Sequence, residues 1–276
     1  MNVKPTDLVV NVFERSYRAA MAPGFFPSIE EQNLQRFNKI LLINNVKEED
    51  DVFALADSLV ARNEIDEWYS VAQYLPKALE MTGLTLKSLG RIPYYSTAPL
   101  VAVAIHKNPF LLYWDADIHL SAPHNWIDAG QSLLNRDANI FCVNPRWTGN
   151  SVEEESVINS DGFAFGYGFS DQCFLVRRGT FSHPIYNYKC PTSFRYPLAH
   201  IAPDFEQMID SFSRSKRLLR ATYLNATYSH PNEGVSYPTP FFAERMHRLF
   251  GNMIIRLTQV LPTNNPCLKV NPKALA

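Results

Sequence analysis

Two acids one residue apart, Asp115 and Asp117, follow directly on the apolar run Phe110–Trp114 in the segment FLLYWDADIHL. A run with apolar residues on both faces reads as a central strand of a parallel sheet covered by helices. In an open α/β sheet the carboxyl ends of such strands form the ligand crevice. Carboxylates at i and i+2 that converge there suit one hard cation, Mg²⁺ or Mn²⁺. Such an ion can bridge a diphosphate and neutralise it as it leaves. The plainer alternative is that both acids cap the turn after the strand, but the buried strand directly before them favours the metal. Two acids this close suit a cation better than opposite faces of a sugar ring, which argues against a glycosidase pair.

The elements that must hold these acids alternate in the first half of the chain. Asp7–Phe13 and Lys39–Asn44 read as short apolar strands, and Ile29–Phe37 as a polar helix or turn. Glu49–Asn63, Trp68–Met81 and Thr97–Lys107 carry helical spacing, the last ended by Asn108-Pro109. In the second half, Asn139–Asn144, Gln172–Val176 and Ala221–Tyr228 read as strands, and Gly162–Phe169 as a Gly- and aromatic-rich loop. Asp204–Arg217 is an amphipathic helix with Phe205, Met208, Ile209 and Phe212 on its stripe. Pro240–Leu261 is a long one, with Thr239 as its cap, and the tail after Pro262 is irregular. Glu153–Glu155 reads as a solvated acidic face. The expected fold is α/β, a mixed and mainly parallel sheet flanked by helices, with residues 1–238 as one domain and 239–276 as a C-terminal helix and tail.

The 276 residues suffice for a sizeable core, and 46% hydrophobic with 19% charged residues fits a globular chain. A net charge of −1 excludes the broad basic field that nucleic-acid binding needs. The cysteines, Cys142, Cys173, Cys190 and Cys267, form no C-x-x-C pair. Their spread reads as reduced thiols in a cytoplasmic chain. The N-terminus lacks a secretory h-region, and no apolar stretch approaches a membrane span.

The ordered set of DLVVNVFERSY, NKILLINN, YWDAD, FSDQCFLVRRGTF, PDFEQMIDSF and TYSH, spanning about Asp7 to His230, resembles glycosyltransferases of the GT-A fold, nearest the inverting family-2-like group. The resemblance implies a nucleotide-sugar donor, commonly a UDP-sugar, a divalent metal (Mn²⁺ or Mg²⁺) and transfer to an acceptor hydroxyl of a glycan or lipid-linked molecule. It implies that Phe13, Glu14 and Arg15 meet the nucleotide; the alternative for Glu14 and Arg15 is an exposed ion pair. The second strand's usual acid near the base is replaced by Asn44 and Asn45, and Asn45 can hydrogen-bond a base edge. Asp115 would then serve the donor as well as the metal.

An inverting transfer needs a carboxylate to take the acceptor's proton. The family's acidic pattern at a helix start falls on Pro203-Asp204-Phe205-Glu206, with Pro203 in place of the first acid. Asp204 aligns with the base and Glu206 is the runner-up; alternatively, Asp204 simply caps its helix. Asp171, in GFSDQ, is a third acid that could face the acceptor. His230 ends a strand before a turn-rich loop, so its ring is either a third metal ligand or structural, whereas His119 and His124 fit no ligand spacing. Arg214, Lys216, Arg217 and Arg220 read as a solvated helix end. Arg245, Arg248 and Arg256 lie opposite Phe242, Leu249, Met253 and Leu257; this helix packs on the sheet, or else rests peripherally on the inner face of a membrane. Two rivals share the architecture. A sugar nucleotidyltransferase would open with a Gly-rich phosphate loop, which ERSYRAAMAPG lacks, and a non-catalytic sugar- or nucleotide-binding protein would neither hydrolyse nor transfer its donor.

Overall fold

The computed structural model describes residues 5–148, 156–196, 199, 202–230 and 241–269. Its elements run β1 (Thr6–Val12), α1 (Tyr17–Ala20), α2 (Phe25–Asn33), β2 (Asn38–Ile43), α3 (Glu49–Ala61), β3 (Glu67–Ser70), α4 (Val71–Thr82), α5 (Tyr94–Ile105) and β4 (Phe110–Asp115). Then come β5 (His119–Leu120), α6 (Trp126–Arg136), β6 (Ile140–Trp147), β7 (Ser156–Ser160), β8 (Phe163–Gly166), β9 (Cys173–Arg177), α7 (Phe205–Lys216), β10 (Leu219–Ser229) and α8 (Phe241–Gln259). Short 3-10 turns lie at Pro191–Arg195 and Pro266–Leu268.

One mixed sheet has the order β3-β2-β1-β4-β9-β6-β10-β8-β7, with β5 on β10. The run β3-β2-β1-β4 is parallel, and so is the β6–β10 pair. β9 enters antiparallel between β4 and β6. Strand alternation splits the apolar residues into two cores. Leu8, Val10, Leu112 and Trp114 face one side, where α2, α3 and α6 bury Phe26, Val52, Ala56 and Trp126. Val9, Leu111 and Tyr113 face the other, where α4, α5 and α7 bury Ala78, Val101, Phe205 and Ile209. A strand buried on both faces must be apolar at successive positions, which is why β1 and β4 read so plainly.

Several boundaries differ from the sequence reading. Glu67–Ser70 is an edge strand, and its helix begins only at Val71. Phe163–Gly166, expected as loop, pairs with β10 as a strand. Arg214 is buried rather than solvated. Its Nε lies 2.9 Å from each oxygen of Asp210, and one of its terminal amino groups donates to the carbonyls of Pro266 and Lys269. Cys190 and Cys267 are joined in a disulfide across 77 residues, while Cys142 and Cys173 are free and buried. This overturns the expectation of four thiols, because spacing alone does not report which cysteines the fold brings together. The acidic run Glu153–Glu155, the cap Thr239 and the boundary at residue 238 lie outside the described residues.

At the amino ends of β1 and β4, opposite the crevice, the fully buried Asp7 ties three segments together. Its carboxylate accepts from the backbone of Lys107 and Asn108 and from the side chains of Asn108 and Asn38, at 2.6–2.8 Å. Asp7→Ala leaves those part-buried donors without their acceptor. We expect urea unfolding to show a loss of about 3 kcal/mol, with divalent-metal binding by the folded protein unchanged.

Candidate active site

β1 and β4 run parallel with Asn11 beside Asp115. Alternation turns both toward the side of Val9 and Tyr113, the side α7 covers. The Asn11 side chain neighbours Asp115 and favours its charged form. The Asp115 amide donates to the carbonyl of Gln172, just before β9. Asp117 follows beyond the strand's end. His230 comes to it from the end of β10, its Nε2 3.1 Å from Asp117 Oδ1. One ligand atom from each of Asp115, Asp117 and His230 lies within 4.8 Å of the others. An ion that bonds at about 2.0–2.6 Å can bridge that spacing, and two carboxylates with one imidazole form a donor set suited to Mn²⁺ or Mg²⁺. His119 is exposed, and neither it nor His124 belongs to this group.

A second set of acids stands beside the first. Asp204 caps α7, accepting from the Gln207 amide at 2.8 Å, so the capping alternative is realised. That bond uses one carboxylate oxygen, Oδ1. Phe205 is fully buried between Asp204 and Glu206, and packs with Phe169, Phe174 and Phe181. This aromatic cluster fixes the first turn of α7. It also fixes the loop bearing Asp171, because the Tyr196 hydroxyl accepts from the Phe169 amide and donates to its carbonyl. The Asp171 amide then donates to Glu206 Oε1 at 3.1 Å, closing the set.

Burial raises these carboxyls, and neighbouring charges add to it at Asp115, Asp171 and Glu206. Burial, with the charges of Asp171 and Asp117 behind it, pushes Asp115 well above the usual carboxylate range. Burial and the Asp204 charge push Asp171 up to about 7. Burial pushes Asp204 up to about 6, against the Gln207 hydrogen bond. Glu206 is raised by burial and then by both neighbours.

The end of β1 meets the end of β2 on the same edge. Glu14 accepts from the Lys47 amide at 2.9 Å, and the Arg15 guanidinium lies 5.5 Å from the centre of the Phe13 ring. Glu14 and Arg15 thus have separate partners rather than each other. Asn45 sits in the left-handed region at φ 52. Tyr95, in the first turn of α5, feels the Arg15 charge. The loop before α5 lies tight against the approach to Asp204: at Gly90 (φ +70) an added Cβ would stand 2.5 Å from that of Ala202. Asn11, Gln172 and Tyr196 escaped the sequence reading. Only Asn11 left a signal there, as an amide inside an apolar strand.

No family model and no curated protein matches the chain. Solved structures do. A crystal structure of GalNAc-T7 with UDP, GalNAc and Mn²⁺ is similar at 10% identity and a TM-score of 0.48, over 92% of this chain and 49% of that one. The chain therefore spans about half that protein's length. Glucosyl-3-phosphoglycerate synthase from Mycobacterium tuberculosis, with Mn²⁺, UDP and phosphoglyceric acid, is similar at 16% identity and a TM-score of 0.47, over 96% of this chain and 78% of that one. The same synthase with Mg²⁺ and UDP matches over 84% and 73% at a TM-score of 0.45 and 16% identity.

The raised acids set a pH dependence. A carboxyl whose folded pKa exceeds its unfolded value holds its proton longer in the native state, so stability falls as pH rises from the unfolded to the folded pKa. For Asp171 and Asp204 that window runs from 3.8 to about 7 and about 6. In chelator, the thermal midpoint should drop across this window, and Asp171→Asn should flatten the drop. A midpoint that instead climbs steadily to neutral pH would contradict the crowding.

Proposed function

We propose that the chain is a metal-dependent glycosyltransferase that moves a sugar from a nucleotide-sugar donor to an acceptor hydroxyl, with inversion. The observation that carries this reading is the pairing of two chemically different groups on one sheet edge. Asp115, Asp117 and His230 offer a cation donor set within 4.8 Å. Asp171, Asp204 and Glu206 form an adjoining acid set, the Asp171 amide donating to Glu206. A UDP donor and inversion rest on the sequence resemblance, and the acceptor class is a glycan or a lipid-linked hydroxyl.

Asp115, Asp117 and His230 would hold the cation. When bound, a divalent ion supplies neutralising charge to a leaving diphosphate. The Phe13 ring and the Arg15 guanidinium offer an apolar face and a positive charge to the nucleotide. Asn45 offers a base edge both a donor and an acceptor. Asp204 is our choice for the base. With its pKa near 6 it is ionised at neutral pH, yet more basic than an ordinary carboxylate, which favours proton removal. Glu206 is the runner-up, and Asp171, whose charge raises both Asp115 and Glu206, is the third candidate.

A screen of nucleotide sugars that follows nucleotide release with Mn²⁺ or Mg²⁺ tests the activity. Asp117→Ala should abolish metal-dependent release, and His230→Ala should weaken Mn²⁺ binding about 10-fold or more by calorimetry. Full turnover in excess chelator would sink the reading.

The base assignment is tested separately. Asp204→Asn or Glu206→Gln should slow transfer roughly 10²-fold while donor affinity holds. If both variants turn over like the parent enzyme, the base is neither residue.

A further inference from the structure

α8 buries the wrong side for a core helix. Among its described residues, Gly251 and Thr258 are buried and lie one above the other. That row seats on the 3-10 turn before Tyr196, where an added Cβ on Gly251 would stand 3.6 Å from the Phe194 carbonyl. The apolar stripe faces away from the protein, which corrects the expectation that it packs on the sheet. Phe242, Met246, Leu249, Met253, Leu257 and Val260 are each 48–77% exposed. Their spacing of four, three, four, four and three is that of a single helix face.

The border of this stripe carries charge of one sign. Arg245 and Arg256 are exposed, with Asn252 between them in one row beside Leu249 and Met253. The helix holds three arginines, Arg245, Arg248 and Arg256, against a single acid, Glu244. A second copy docked stripe to stripe would bring two cationic rows together with no carboxylate on that border to pair them. An apolar stripe edged by arginines instead complements a surface that is apolar within and anionic at its rim. No helix among the described residues is long and apolar enough to cross a membrane, so such contact would lie in the plane of the interface.

We propose that α8 docks on an anionic lipid surface, its apolar stripe in the acyl boundary and Arg245 and Arg256 on the headgroups. The seat of the helix leads straight to Tyr196, which grips the loop bearing Asp171. Docking would thus hold the candidate site's acid side close to the lipid. The inference stands independently of the proposed chemistry, because its readout is binding alone.

The test is co-sedimentation of the whole chain with vesicles of equal parts phosphatidylcholine and phosphatidylglycerol, and with vesicles of phosphatidylcholine only. We expect binding to the mixed vesicles and at least about tenfold weaker binding to the neutral ones. Arg245→Ala with Arg256→Ala should lower binding to the mixed vesicles by about tenfold or more. Met253→Asp with Leu257→Asp should abolish it, while the thermal midpoint stays put because these side chains are exposed. A chain that stays in the supernatant with both vesicles overturns the proposal. So does a concentration-dependent dimer in sedimentation velocity that the Met253→Asp pair dissolves without any vesicle binding. Equal binding to both vesicle types, unmoved by loss of the arginines, also overturns it.

Discussion

Burial of carboxyl groups gathered at one edge of the sheet governs this molecule. Asp115, Asp117, Asp171, Asp204 and Glu206 come from three segments and share one crevice, where burial already disfavours the charged forms of Asp115, Asp171, Asp204 and Glu206. Such a cluster disperses unless something rigid holds it. Here it is held by neutral donors, the Gln207 amide on Asp204 and the Asp171 amide on Glu206, with the Asn11 side chain favouring the charged form of Asp115. Behind them stands a packed aromatic layer that cannot yield without opening a cavity. The free energy stored in the crowding is what a cation would release on binding.

The sheet explains how distant segments meet. Parallel β1 and β4 deliver Phe13, Arg15 and Asp115 to one edge, and β10, parallel to β6, delivers His230 to the same edge. The antiparallel β9 starts where they end, so the Asp171 loop lies across the crevice. At the far edge Asp7 fastens the chain before β4 to the starts of β1 and β2. The acids can then be strained because their scaffold is satisfied elsewhere.

Much of this was legible in the residues. The apolar run before Asp115 is what a strand buried on both faces requires, and the stripe through Phe205 and Ile209 announced α7 within a residue of its bounds. His230 could be singled out because a strand end and a turn signal coincide there. The short edge strands were harder. Glu67–Ser70 is only half-buried and runs without a break into a helix, so its few residues carry no period of their own. Phe163–Gly166 reads as loop because its glycines conceal pairings that β10 and β7 supply. Arg214 looked solvated since nothing in its neighbourhood of sequence reveals that the tail at Pro266 and Lys269 returns to cover it. The disulfide and the outward stripe of α8 were illegible for the same reason: each depends on where a distant segment lies.

β10 lies between β6 and β8 and also pairs with β5, although it is made after all three. A chain growing from its N-terminus therefore completes the parallel half first and carries an open slot in the other half until residue 229 has emerged. Until then β6 and β8 each offer an unsatisfied edge, the kind of surface that recruits foreign strands. Asp115 and Asp117 likewise wait without His230. Synthesis order thus couples solubility to completeness: a chain stalled before its last strand is at once sticky and short of a ligand, and one strand resolves both.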